Sequence, residues 1–129
     1  MSAPVSLVES VRAKVEREII TNRVLEEVAA ERVNQHEKWG EQNHPMIGGF
    51  MPTAHQREYA RQASQWKTVN DLRVDNETLG FDGIALEEVF EALEQDDPLL
   101  QREELVQAAA VLVAMIEALD RKPIALVPA

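Results

Sequence analysis

The sequence predicts an all-α fold, a bundle of four or five helices. Apolar residues recur at every third or fourth position along most of the chain, and no stretch shows the alternating pattern of a strand. Glycine and proline cluster in a few short segments that separate these helical stretches. With 129 residues, the chain is the size of one domain (residues 1–129) with a single core.

The first helical stretch runs from Val5 to Lys38, as one long helix or two in series. Its apolar residues keep helical spacing from beginning to end. They include Val8, Val11, Val15, Ile19, Leu25, Val28, Ala29 and Val33.

The second helix is predicted over residues 54–69. Thr53 and Gln56 fit a capping box, in which the hydroxyl and the amide each satisfy a free backbone group of the other residue. Residues 70–80 are polar and rich in turn formers, so we expect a connection there.

Asp82 is the expected N-cap of a third helix that begins near Gly83. This helix should fray before Pro98, because the residue preceding a proline is pushed out of the helical region. The fourth helix is predicted over residues 99–121. Its segment LVQAAAVLVAMIEAL is apolar nearly all round, which predicts a helix that is buried on most sides.

Composition limits the classes of partner. The formal charge is −10, with 13 Lys and Arg against 23 Asp and Glu, so the chain repels nucleic acid and anionic membranes. There is no cysteine, hence no disulfide or thiolate metal site. Without a signal peptide pattern or an apolar run of about 20 residues, we expect a cytoplasmic protein with no membrane partner.

Acidic residues crowd one face of the third helix. In the segment LEEVFEALEQ, Glu87, Glu88, Glu91 and Glu94 lie on one side and the apolar residues on the other. A solvated acidic face is the commoner explanation of such a pattern. The alternative is that some of these carboxylates bind a metal ion.

The pattern of the fourth helix favours the hypothesis that the carboxylates bind a metal ion. Glu104 and Gln107 share a stripe with apolar residues of later turns, so we expect both to point inward. A carboxylate at the edge of a core needs a partner, and Arg102 and Arg121 are the only cations between Gly83 and Lys122. Carboxylates three or four residues apart can converge on one ion, and oxygen ligands alone suit Mg²⁺ or Mn²⁺ rather than Zn²⁺.

These motifs resemble those of the MazG-like all-α nucleoside triphosphate pyrophosphohydrolases. That family carries Glu-Glu-x-x-Glu on one helix and Glu-x-x-Asp on the next, and here the counterparts are Glu87–Glu91 and Glu104–Gln107. The segment ERVNQHEKWGEQNHP is similar to a branch common in phages and actinobacteria. The resemblance implies a core over residues 31–121, with residues 1–30 as an added helix and residues 122–129 as a tail.

The resemblance implies Mg²⁺-dependent hydrolysis of a (deoxy)nucleoside triphosphate, with a dNTP as the expected partner, to the monophosphate and pyrophosphate. Mn²⁺ is the alternative ion. Glu88, Glu91 and Glu104 are the implied ligands, and Glu87 is a further ligand or the base that orients water. Gln107 stands where the family has Asp; as a ligand it would bring no charge, so a degenerate protein that binds nucleotide or a partner without catalysis is the alternative.

Substrate contacts are expected from two helices. On the second helix, Lys67 and Asn70 fall on the inward side, and Lys67 is the candidate catalytic contact to phosphate; the alternative is a lysine that only extends along the surface. If the first helix continues to Gln42, a face including Gln35 and Lys38 lies beside Trp39. Trp39 could stack on a base whose edge Gln35 reads, or be a core aromatic.

Two expectations concern the surroundings of the site. His44, before Pro45, is a loop cap or a ligand contact. The apolar fourth helix offers more apolar surface than a small bundle covers, and the family resemblance implies oligomers, so we predict a homodimer or homotetramer. If the protein is phage-encoded, it would act in the host cytoplasm.

Overall fold

A computed structural model describes residues 6–46 and 53–122. Within these residues the chain forms α-helices and no strand, which confirms the all-α prediction. The helices are α1 (Leu7–Trp39), α2 (Ala54–Asp75), α3 (Phe81–Glu94) and α4 (Pro98–Arg121). None of the helices in the described segments is long and apolar enough to cross a membrane.

The chain divides into two compact units. One unit contains α1 and the end of α4 from Ile116 onward. The other runs from Asn43 to Met115 and contains α2, α3 and most of α4. The acidic motifs of the sequence all lie in this second unit.

In the first unit, α1 is one continuous helix of 33 residues, about 50 Å long. The Ser6 hydroxyl caps its first turn by accepting a 3.1 Å hydrogen bond from the Glu9 amide. The helix ends at Trp39, and Gly40 follows with φ of 70°, a left-handed value that suits glycine. The helix therefore does not continue to Gln42, and the condition for a helical face that includes Gln42 is not met.

One side of α1 packs within this unit. Val24 is its only buried residue, and the Thr21 hydroxyl donates a 2.5 Å hydrogen bond to the Glu117 carboxylate. Most of the remaining large apolar side chains of α1 are exposed, among them Val8, Val11, Val15, Ile19 and Val33.

In the second unit, α2 begins where the sequence predicts but extends further. The Thr53 hydroxyl accepts a 3.1 Å hydrogen bond from the Gln56 amide N–H, so half of the capping box forms. The other half does not, because the Gln56 side chain instead donates to the backbone carbonyl of Glu94. The predicted end near residue 69 is also wrong, since α2 continues to Asp75.

α3 and α4 begin slightly earlier than predicted. The N-cap of α3 is Gly80, so Asp82 lies in the first turn, where its carboxylate pairs with Arg73 at 3.0 Å. The Asp82 carboxylate also accepts a hydrogen bond from the Gly83 backbone amide, and this bond is the main cause of its lowered pKa. Pro98 opens α4, a position that requires no amide hydrogen.

The buried side chains are small. Ala92 is fully buried, and Ala63, Ala85, Ala108 and Val113 are also buried, which lets helices of the unit approach closely. The prediction that α4 is buried on most sides is wrong for the single chain. Its buried residues are few, whereas Leu105, Val106 and Leu112 are exposed, because the chain by itself covers one face of this helix.

Candidate metal centre

α3 and α4 bring three carboxylates to one point. One oxygen each of Glu88, Glu91 and Glu104 lies within 4.8 Å of the other two, and all three residues are half-buried. Glu88 and Glu91 are one helical turn apart on α3. The connection to α4 spans only residues 95–97, so Glu104 in the second turn of α4 comes back beside the end of α3. These three residues could hold a metal ion.

Burial and repulsion from neighbouring carboxylates raise the pKa values of Glu88 and Glu91. Burial, together with the negative charges of Glu87 and Glu88, raises the pKa of Glu91 to about 7. A hydrogen bond with Glu87 and the charge of Glu104 add to this effect. Burial is also the main cause of the raised pKa of Glu88, followed by the charges of Glu104 and Glu87.

Glu94 belongs to the same electrostatic neighbourhood. Its pKa is raised by burial and then by the charge of Glu104. Sequence reasoning placed Glu94 on the acidic face but not near α4. No signal in the sequence reports this proximity, since it depends on how sharply the chain turns between Glu94 and Pro98.

Two carboxylate oxygens in the centre have no partner. Glu88 Oε2 and Glu104 Oε2 are buried and accept no hydrogen bond. The charges that perturb the pKa values of Glu88, Glu91 and Glu94 all belong to other carboxylates. A buried anion without a compensating charge is costly, and a divalent cation bound by oxygen ligands would supply that charge. The residues present could therefore hold a divalent cation.

Buried side-chain amides hold α3 in position. Gln56 and Asn70 on α2 and Gln101 on α4 are 6%, 7% and 8% exposed. Each donates a hydrogen bond to a backbone carbonyl of α3, and the acceptors are, in the same order, Glu94, Gly83 and Ala92. The sequence does not reveal this role, because an amide on a helix is most often solvated. The three bonds attach α3 to α2 and α4 near the carboxylates.

Asn70 differs from the other two amides. Its Nδ2 also donates to Glu87 Oε1, at 2.9 Å, whereas its Oδ1 is buried without a partner. The sequence predicted Asn70 to be inward and to bind substrate. It is inward, but its amide nitrogen is engaged by Gly83 and Glu87.

Lys67 and Gln107 are not directed inward. Both side chains are exposed. The buried side of α4 passes through Gln101 and Ala108, and Gln107 is about 100° around the helix from Ala108. The expectations that Lys67 and Gln107 point inward are therefore wrong for the single chain, and whether either touches a ligand stays a prediction.

The predicted contacts Gln35, Lys38 and Trp39 lie on the last turns of α1, in the first unit. Trp39 is 64% exposed, so it is not a core aromatic of this chain. The Lys38 ammonium lies 4.9 Å from the centre of the Trp39 ring, and Gln35 Oε1 accepts a 2.7 Å hydrogen bond from Arg32. His44 is exposed.

Comparisons with protein-family models, with curated proteins and with solved structures find no match to this chain.

Proposed function

We propose that this protein hydrolyses a (deoxy)nucleoside triphosphate to the monophosphate and pyrophosphate with the help of Mg²⁺ or Mn²⁺. The observation that carries the proposal is the convergence of Glu88, Glu91 and Glu104, with two buried oxygens that lack partners. The resemblance of the two acidic motifs to the MazG-like family supports the choice of reaction.

The carboxylates of Glu88, Glu91 and Glu104 would hold the divalent ion. When bound, the ion would neutralise phosphate charge and lower the pKa of the attacking water. Glu87 is half-buried next to these ligands, and its hydrogen bond from Asn70 supports the role of the base that orients this water.

Substrate contacts are proposed from the exposed side chains. Lys67 is exposed on α2, one turn before Asn70, so its ammonium is accessible to a phosphate group. On α1 the ring of Trp39 is exposed, and Gln35 and Lys38 lie within one helical turn of it; a contact of these side chains with a base stays a prediction.

A second candidate is a protein that binds nucleotide without cleaving it. Gln107 favours this reading, because a neutral, exposed amide occupies the position where the resemblance implies an acidic ligand. Nucleotide binding without turnover, and a Gln107→Asp variant that gains turnover, would support it.

The deciding experiment is the release of pyrophosphate from a panel of deoxy- and ribonucleoside triphosphates with Mg²⁺ or Mn²⁺. We expect turnover by the natural chain, loss of turnover in Glu104→Gln, and retention in Glu103→Gln. Glu103 is the matched control because it is the exposed neighbour of Glu104 on the same helix. Absence of turnover with every triphosphate, together with no metal binding by calorimetry, would refute the proposal.

A further inference from the structure

We infer that Asn70 is a positioning residue that fixes the carboxylate of Glu87 for catalysis and does not itself contact the substrate. The inference rests on the proposed function, in which Glu87 orients the attacking water. It replaces the expectation that Asn70 binds nucleotide.

The hydrogen bonds of the Asn70 side chain use both of its donor groups, which argues against a contact with the substrate. The side chain is 7% exposed, and its nitrogen donates to the Gly83 carbonyl at 3.0 Å and to Glu87 Oε1 at 2.9 Å. A primary amide carries two N–H groups, so this pair of bonds uses both. Asn70 therefore has no donor left for a ligand.

Gly83 allows this arrangement. A Cβ atom at position 83 would overlap Asn70 Oδ1 and would lie 3.1 Å from the Arg73 guanidinium nitrogen. The absence of a side chain on α3 at this point lets the amide lie directly against the helix backbone. From there it reaches Glu87, one turn further along α3.

The bond to Glu87 would matter for chemistry because Glu87 has acidic neighbours. Glu91, one turn further along α3, shares a hydrogen bond with Glu87, and the charge of Glu87 acts on Glu88. A neutral donor from α2 fixes the rotation of the Glu87 carboxylate without adding a charge that would compete with a metal ion. Loss of such an orienting contact typically costs about 10–100-fold in activity.

Gln56 provides a matched control. It lies on the same helix, is 6% exposed, and donates a 2.5 Å hydrogen bond to the backbone carbonyl of Glu94. Its side-chain oxygen, like that of Asn70, is buried without a partner. Its amide nitrogen donates to the α3 backbone and not to a carboxylate. Gln56→Met and Asn70→Leu thus each remove one buried amide of similar surroundings.

The test measures kcat and KM for pyrophosphate release, with the thermal midpoint of each variant as a record of stability. We expect both variants to lose stability, but only Asn70→Leu to lower kcat, by about 10–100-fold, with KM changed by less than about threefold. Equal kcat values for the two variants would overturn the inference. If Asn70→Leu does not fold, Asn70→Ser, which is too short to reach both acceptors, is measured against the same expectation.

A second measurement needs no turnover. Urea midpoints are determined for Asn70→Leu, Glu87→Ala and the double variant without metal. If Asn70 holds Glu87, the free energy of unfolding decreases less in the double variant than the sum of its decreases in the two single variants. Additive decreases would overturn the inference. A natural chain that releases no pyrophosphate would refute the proposed function by itself, and this cycle would then decide whether Asn70 fixes Glu87.

Discussion

Glu88 on α3 and Glu104 on α4 each leave one carboxylate oxygen buried and without a hydrogen-bond partner, within a cluster less than 5 Å across. The charge of Glu104 raises the pKa of Glu88, so the two side chains repel each other when both are ionised. Without a metal ion, this repulsion lowers the free energy of unfolding of the chain, and a bound cation would remove that effect.

Removing one of these charges should stabilise the metal-free protein. We expect Glu104→Gln to raise the thermal midpoint at pH 8 by about 2–5 °C, because the amide relieves the repulsion of Glu88 and Glu91. Differential scanning calorimetry in the presence of a chelator measures the change. Glu103→Gln, an exposed change on the same turn, should leave the midpoint within about 1 °C. A lower midpoint for Glu104→Gln than for Glu103→Gln would contradict the expectation.

Adding Mg²⁺ or Mn²⁺ should stabilise the natural chain, and above the dissociation constant the gain should increase with the logarithm of the metal concentration. A ligand that binds only the folded state adds about 2.7 kcal/mol at a concentration 100 times its dissociation constant. Chelator should reverse the increase in thermal midpoint. In Glu91→Gln the increase should be much smaller, since one of the three converging carboxylates is gone. An equal increase in Glu91→Gln would place the ion elsewhere.

The raised pKa of Glu91 gives stability a defined pH dependence. The ordinary value is 4.5, and the value in the folded protein is about 7, so between these limits the folded state holds a proton that the unfolded state has released. The contribution of Glu91 to stability is therefore greatest below about pH 4.5 and is lost as the pH rises to 7. Urea unfolding of the natural chain and of Glu91→Gln from pH 5 to 8 isolates this contribution. Parallel profiles would contradict it.

The affinity for metal should follow the opposite trend. Binding requires the ionised form of Glu91, so the dissociation constant should decrease about tenfold per pH unit below pH 7 and level off above it. Calorimetry in buffers of different ionisation enthalpy should detect release of a proton on binding near pH 6. An affinity that does not change with pH would exclude Glu91 as a ligand.

Asp97 should be needed for the start of α4. Its Oδ1 accepts a 2.8 Å hydrogen bond from the Leu99 amide, and Pro98 occupies the first helical position. We expect Asp97→Ala to cost about 1 kcal/mol of unfolding free energy by urea titration. Asp96→Ala, at the exposed neighbouring residue, should cost less than about 0.5 kcal/mol. Equal costs would show that the cap does not stabilise the helix.

Apolar side chains on the surface predict association of chains. Leu105, Val106, Leu112 and Leu119 are 41%, 56%, 47% and 70% exposed on α4. We expect a homodimer or homotetramer by light scattering, with a lower mass for Leu112→Glu. Val74→Glu, at an exposed residue of α2, is the control and should keep the mass of the natural chain. A monomer at every concentration would refute the prediction.

The periodicity of apolar residues predicted the number and order of the helices because it reports which residues can share a face. It missed the last turns of α2. Arg73 looks like a connection residue in a polar segment, but it lies on α2 and pairs with Asp82 of α3, while the inward position predicted for Asn70 is confirmed. Those contacts are made with residues distant in sequence, and local pattern does not contain them.

The carboxylate cluster was predictable because its members lie on two helices joined by a short connection. The convergence of Glu88, Glu91 and Glu104 follows from helical spacing and a tight turn. The exposure of Gln107 does not follow from helical spacing and the turn, because it depends on the rotation of α4 about its own axis. A stripe of side chains gives that rotation only where one face is clearly apolar, and α4 is apolar nearly all round.

The close approach of Asn70 to Gly83 ties two positions that lie thirteen residues apart. Any side chain at 83 would displace the amide, because its Cβ atom would overlap Asn70 Oδ1. In homologous chains these positions should covary, with asparagine at the first accompanied by glycine at the second. In homologues with a larger residue at 83, we expect the hydrogen bond from residue 70 to Glu87 to be absent.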